Sequence, residues 1–151
     1  MTTTPAGVVL VAVTDSEAAF AAAAVAVAYA GALHARLRAV TVLPADAAER
    51  SRPESAVLRD EAADAALRHV AALAERAGVD ATGTTRHGGV AAQILAEASA
   101  CGAELVVMAR VARPGHALPT VGSQTLRVLE FATVPVLVVP TQVHRPGWHV
   151  S

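Results

Sequence analysis

Short runs of consecutive apolar residues alternate along this chain with longer segments in which apolar positions recur every three or four residues. Val8 to Val13 (VVLVAV) is one such run, and Leu37 to Leu43, Leu105 to Met108 and Val136 to Val139 repeat it. Runs of this length, rich in β-branched residues and bounded by turn residues, predict strands buried on both faces of a parallel sheet. Val79 to Arg86 is a weaker fifth strand, because Gly83 and three threonines dilute it.

The intervening segments read as helices. Thr14-Asp15-Ser16-Glu17 supplies start signals for an alanine-rich helix reaching about His34. After Pro44 a polar stretch to Glu54 reads as a surface loop; Val57, Leu67, Val70 and Leu73 then mark an amphipathic helix from Glu54 to Ala77 that stops at Gly78. Val90 to Cys101 forms a third helix. Gly122 and Ser123 open a fourth, with an apolar side expected from Leu126, Leu129 and, less regularly, Val128 and Phe131, before Pro135 turns the chain into its last strand.

The rhythm β-α-β-α-β-α-β-α-β predicts an α/β fold: a doubly wound five-stranded parallel sheet in the order 3-2-1-4-5, with helices on both faces. Residues 1–140 form the expected domain, and 141–151 (TQVHRPGWHVS) a flexible tail, unless its Trp148 anchors on a partner subunit.

Composition narrows the function classes. With 151 residues, a formal net charge of -1 and dispersed basic residues, the chain has no electrostatic footprint for nucleic acid or an anionic membrane. The apolar segment Ala18 to Leu33 is too short to cross a bilayer, and the N-terminus lacks the basic region of a signal peptide. A single cysteine, Cys101, excludes an intrachain disulfide and reads as a small packed residue in a reducing, cytoplasmic compartment.

In a sheet of this order a crevice opens at the carboxyl ends of strands one and four. The loops delivered there are Thr14-Asp15 and Ala109 to Val121, with Val42-Leu43 and His87-Gly88 close by. Gly122-Ser123 at a helix N-terminus, with Arg110, Arg113 and His116 in the preceding loop, is a candidate anion site. Ser123 reads either as a plain N-cap or as a donor to a phosphate. No Gly-Lys-Ser/Thr, nucleophile elbow, zinc helix or paired carboxylate accompanies it, so the chain is not expected to be an enzyme; weak ATP hydrolysis would need Asp15 to hold Mg²⁺.

These residues carry a resemblance. From about Gly7 to Pro140 the chain is similar to the universal stress protein family, whose nucleotide-binding members have Gly, two residues, Gly, nine residues, then Gly-Ser/Thr after a strand ending in Met. Here Met108 is followed by Ala109 and Ala112 at the two glycine positions and by Gly122-Ser123 at the third. VAVTDSE resembles the family's first-strand turn, GGVAAQIL its third-helix start and VPVLVV its closing strand. Thr14 stands where ATP-binding members have an Asp, with Asp15 one step later.

The resemblance implies a stress-response module that binds or senses ATP, with Mg²⁺, through Thr14, Asp15, Val42, Met108, Ala109, Arg110, Ala112, Gly122, Ser123, Gln124 and Thr125. It also implies a homodimer pairing through Val136, Leu137, Val138 and Val139. The alanines and Thr14 leave a second reading open: a dimeric interaction protein with a vestigial pocket. Dimerisation is common to both, and in the first an unknown signalling partner reads the surface that the nucleotide orders.

Overall fold

Residues 7–45, 53–110 and 122–140 are described by a computed structural model. Nine elements follow one another: β1 (Val8–Ala12), α1 (Glu17–Leu33), β2 (Arg36–Leu43), α2 (Pro53–Ala77), β3 (Ala81–His87), α3 (Val90–Cys101), β4 (Ala103–Ala109), α4 (Ser123–Phe131) and β5 (Val136–Val139). The five strands form one sheet in the order β3-β2-β1-β4-β5, every pair parallel, as the rhythm of the sequence predicts.

Because side chains alternate across a strand, each apolar run serves two cores. Val9, Val11, Leu37, Ala39 and Val107 meet α1 and α2 on one face, while Leu10, Val40, Val106 and Met108 meet α3 and α4 on the other. The sheet is therefore the middle of three layers. β1 is its centre, and Leu10 and Val11 are completely buried.

Local chemistry sets the helix ends. Ser16 caps α1, its Oγ accepting from the Ala19 amide at 3.2 Å. At the other end His34 takes a left-handed conformation, φ 53°, while the Ala35 amide reaches back to the Ala30 carbonyl at 2.9 Å. The strands β4 and β3 differ from expectation: β4 runs beyond Leu105–Met108 in both directions, and β3 begins at Ala81 rather than Val79. The Leu37 amide bonds to the Asp80 carbonyl, which leads the chain into the ladder only after Val79.

Two helix readings need larger correction. Val57 is 55% exposed, whereas Val70, Leu67 and Leu73 pack on the core as expected, joined by the alanines Ala63, Ala66 and Ala74. On α4 most of the expected apolar side faces outward: Leu126, Leu129 and Phe131 are exposed, whereas Val128 is buried as expected and Thr125 is buried beside it. The spacing of three between Thr125 and Val128, with Ala132 four further on and packed on the same core, defines the true inner stripe. A threonine in that stripe hides it from a hydrophobicity reading.

Candidate functional site

The carboxyl ends of β1 and β4 diverge into a cavity of about 240 Å³. Its walls are apolar: Ala12 and Val13 from β1 and its exit, Val40 and Val42 from β2, Ile94 from α3, and Met108 and Ala109 from β4. Polar groups enter from the turn after β1, where Thr14 and Ser16 line it, and from the first turn of α4, which supplies Gln124 and Thr125. An apolar pocket with a few convergent polar groups is the general form of a small-molecule site.

The turn after β1 is held by its own side chains. The Ser16 amide donates to the Thr14 carbonyl at 2.9 Å, and the hydroxyls of Thr14 and Ser16 lie 3.0 Å apart. This geometry presents Thr14 to the cavity. Asp15 is exposed and does not line it, so the carboxylate one step along the chain has not taken the place of Thr14.

At the entrance to α4 the N-cap is Gly122, with φ -61° and ψ 156°, and no side chain among the described residues caps the helix. Ser123 is the first helical residue rather than the cap. The first intrahelical bond is from the Leu126 amide to the Gly122 carbonyl at 3.0 Å. No acceptor among the described residues takes the amides before it, which stand at the positive end of the helix dipole. α3 starts at the same end of the sheet and is also capped by a glycine, Gly89. One of its free amides, that of Ala91, donates to Gln124 Oε1 at 3.1 Å.

Of the residues singled out in the sequence, Thr14, Val42, Met108, Ala109, Gln124 and Thr125 converge on the cavity. Gly122 and Ser123 flank it at the head of α4 without lining it, and Arg110 leaves β4 with its amide bonded to the Val139 carbonyl at 2.8 Å. Ala112, Arg113 and His116 lie outside the described residues, as do the tail and Trp148. Ala109 is in register with Val139 at the end of β4, and among the described non-glycine residues only His34 has a positive φ. An alanine at the first glycine position thus carries no backbone strain. Ser16, Ala18, Ala19, Val90 and Ile94 also line the cavity and were missed, although the start signal at Ser16 was the clue to the first three.

Among the described residues no cluster of metal-binding side chains occurs, and no helix is long and apolar enough to cross a membrane.

The sequence matches the universal stress protein family over residues 6–140. Among curated protein sequences none matches. A solved universal stress protein family member from Burkholderia pseudomallei is 28% identical, with 89% of this chain and 96% of that one covered and a TM-score of 0.73. A universal stress protein from Archaeoglobus fulgidus superposes with a TM-score of 0.74 at 18% identity, covering 89% and 98% of the two chains. A third, solved in complex with cAMP, is 23% identical over 92% of this chain and 100% of that one, with a TM-score of 0.67. With the family match spanning nearly the whole sheet and its helices, this chain belongs to the universal stress protein family.

Proposed function

We propose that the crevice between β1 and β4 binds an adenine nucleotide, ATP with Mg²⁺ in the first instance, and that the chain acts as a cytoplasmic nucleotide-sensing module in the stress response. The observation that carries this reading is the junction of two features at one end of the sheet. An apolar cavity of about 240 Å³ suits a base and its sugar better than a whole nucleotide, and the first amides of α4, which no described residue caps, stand beside it to receive phosphate oxygens. Thr14 and Thr125 offer hydroxyls within the cavity, and Gln124, its carbonyl already engaged by Ala91, keeps its amide N–H groups for a ligand. The related protein solved with cAMP supports this ligand class. The role is binding and readout, with ligand occupancy favouring one arrangement of the loop after β4.

Gly122→Val is a clean probe. A Cβ at Gly122 meets nothing within 4 Å among the described residues, and its φ suits any L-residue, so the variant is expected to keep the fold and place bulk at the head of α4. Calorimetric titration with ATP, ADP and AMP, each with and without Mg²⁺, is expected to give micromolar ATP binding that Gly122→Val abolishes. Folded, nucleotide-free protein giving no heat at millimolar ATP would overturn the reading.

The second reading, a dimeric interaction protein, draws on the exposed Leu126, Leu129 and Phe131 of α4 and on β5 at the sheet edge. A homodimer through Val136, Leu137, Val138 and Val139 is part of both readings, since pairing closes an open edge. Sedimentation equilibrium together with amide exchange tests it: a dimer with protected amides at 136–139 is expected, and a monomer with exchanging amides there would remove it.

A further inference from the structure

A larger groove lies away from the crevice, on the face of β2 and β3 that α2 does not cover. Its volume is about 780 Å³, and Arg36, Arg38, Thr82, Thr84 and Arg86 line it together with Glu97 of α3. The placement follows from the two periodicities. Arg36 and Arg38 share with Val40 and Val42 one face of β2, and the ladder sets Thr82, Thr84 and Arg86 beside Arg38, Val40 and Val42. On α3, Gln93 and Glu97 are one turn apart and meet this face. Because α3 packs on β1, β2 and β4, its flank forms one wall and β3 is the far bank.

Glu97 is 4% exposed, and two guanidinium groups compensate its charge. Arg86 Nη1 donates to Glu97 Oε1 at 3.3 Å, and Arg38 Nε lies 3.5 Å from Glu97 Oε2. Each arginine has a second anchor: Arg86 Nε donates to Gln93 Oε1 and Arg38 Nη1 to Thr82 Oγ1, both at 2.9 Å. Long side chains usually lose rotamer freedom when they take up a ligand; these two have lost it already. No acceptor among the described residues takes the Nη2 of either, and Arg36 is exposed with no carboxylate partner among them. Three guanidinium groups face two carboxylates, those of Glu97 and Asp80, so positive charge is in excess.

We propose that the groove over β2 and β3 is an anion site for a phosphate group, held by Arg36, Arg38 and Arg86, with the threonine hydroxyls of β3 beside it. Arg36 offers a whole planar guanidinium fork to phosphate oxygens, Arg38 and Arg86 add their Nη2 groups, and the groove is roomy enough for the organic part of a phosphate ester. The site is independent of the crevice.

The test is a titration of labelled full-length protein with inorganic phosphate and, separately, ribose 5-phosphate, in about 150 mM salt to screen diffuse attraction. The arginine Nε–H resonances of Arg38 and Arg86 and the amides of β2 and β3 are expected to shift with a Kd of about 1 mM or tighter. A tighter fit for ribose 5-phosphate identifies an ester site, and equal fits an inorganic phosphate site. Arg36→Ala, which breaks no contact of the fold, is expected to weaken binding about fivefold. Gly122→Val is expected to leave it unchanged whether or not the crevice takes a nucleotide. Shifts confined to Thr14 and the head of α4, shifts scattered over the surface, no saturation by about 20 mM, or indifference to Arg36→Ala would each overturn the proposal.

Discussion

Gln124 and Ala91, 33 residues apart, are joined by one hydrogen bond that ties the head of α4 to the head of α3. Both helices have glycine at the N-cap, which brings no capping side chain of its own, so Gln124 acts for α3 as a cap supplied from another helix. Gln124→Met keeps the length of the side chain and removes the acceptor, leaving a part-buried amide unsatisfied. The expected cost is about 1 kcal/mol, or a fall in Tm of about 2–4 °C by thermal circular dichroism. An unchanged Tm would mean that water replaces the side chain.

Gly88 is a position that no other residue fills well. Its φ of 137° belongs to glycine, and a Cβ there would stand 2.9 Å from Gln93 Nε2. Gly88→Ala is expected to lower stability by about 2 kcal/mol in urea unfolding. It also displaces Gln93 and with it the anchor of Arg86, so the arginine Nε–H signal of Arg86 should move in the same variant.

Removing the carboxylate of Glu97 leaves Arg38 and Arg86 facing each other without their counter-charge. Glu97→Ala is expected to destabilise by about 2 kcal/mol, below the range for fully enclosed pairs because the arginines are 28% and 30% exposed. Glu97→Gln, which keeps an acceptor, should lose less. Equal losses would assign the effect to the missing charge alone, and no loss in Glu97→Gln would assign it to shape and the acceptor.

Burial pushes the Cys101 thiol up, Glu97 adds to the rise, and Arg38 opposes it. Native protein therefore holds the thiol proton to higher pH than the unfolded chain does. The stabilisation this gives is complete below the ordinary thiol range and is lost as pH rises through the folded value. Two results are expected: alkylation of Cys101 slower in native than in urea-unfolded protein at equal pH, and a decline in stability at alkaline pH that Cys101→Ala does not share. Equal alkylation rates would refute the first.

The fold was legible where the chain repeats a simple rule. β5 is Val136–Val139 as its apolar run and Pro135 imply, and the strand order follows from the alternation of elements. The inner face of α4 was not legible, since in a helix of nine residues Thr125 and Val128 are too few to outweigh Leu126, Leu129 and Phe131. Nor was the partnership of Arg38, Arg86 and Glu97, which are remote in sequence and meet only because β2 and β3 pair while α3 packs beside them on β2. The crevice stood between these cases. The fold rule places Thr14 and Ala109 there, but only the structure shows that Ala109 is extended and that Asp15 is exposed and does not line the cavity.

The inner side of α1 is made of Ala19, Ala22, Ala23, Ala26 and Ala30, with Val27 the one larger buried residue. A helix faced with methyl groups can approach the sheet closely, and it inverts the usual asymmetry of core mutagenesis. Truncation has almost nothing to remove, whereas one added methylene must displace β1 or β4. Variation along this helix is therefore confined by crowding rather than by loss of contact, and an engineer seeking a tolerant surface on this domain should look to its outer side.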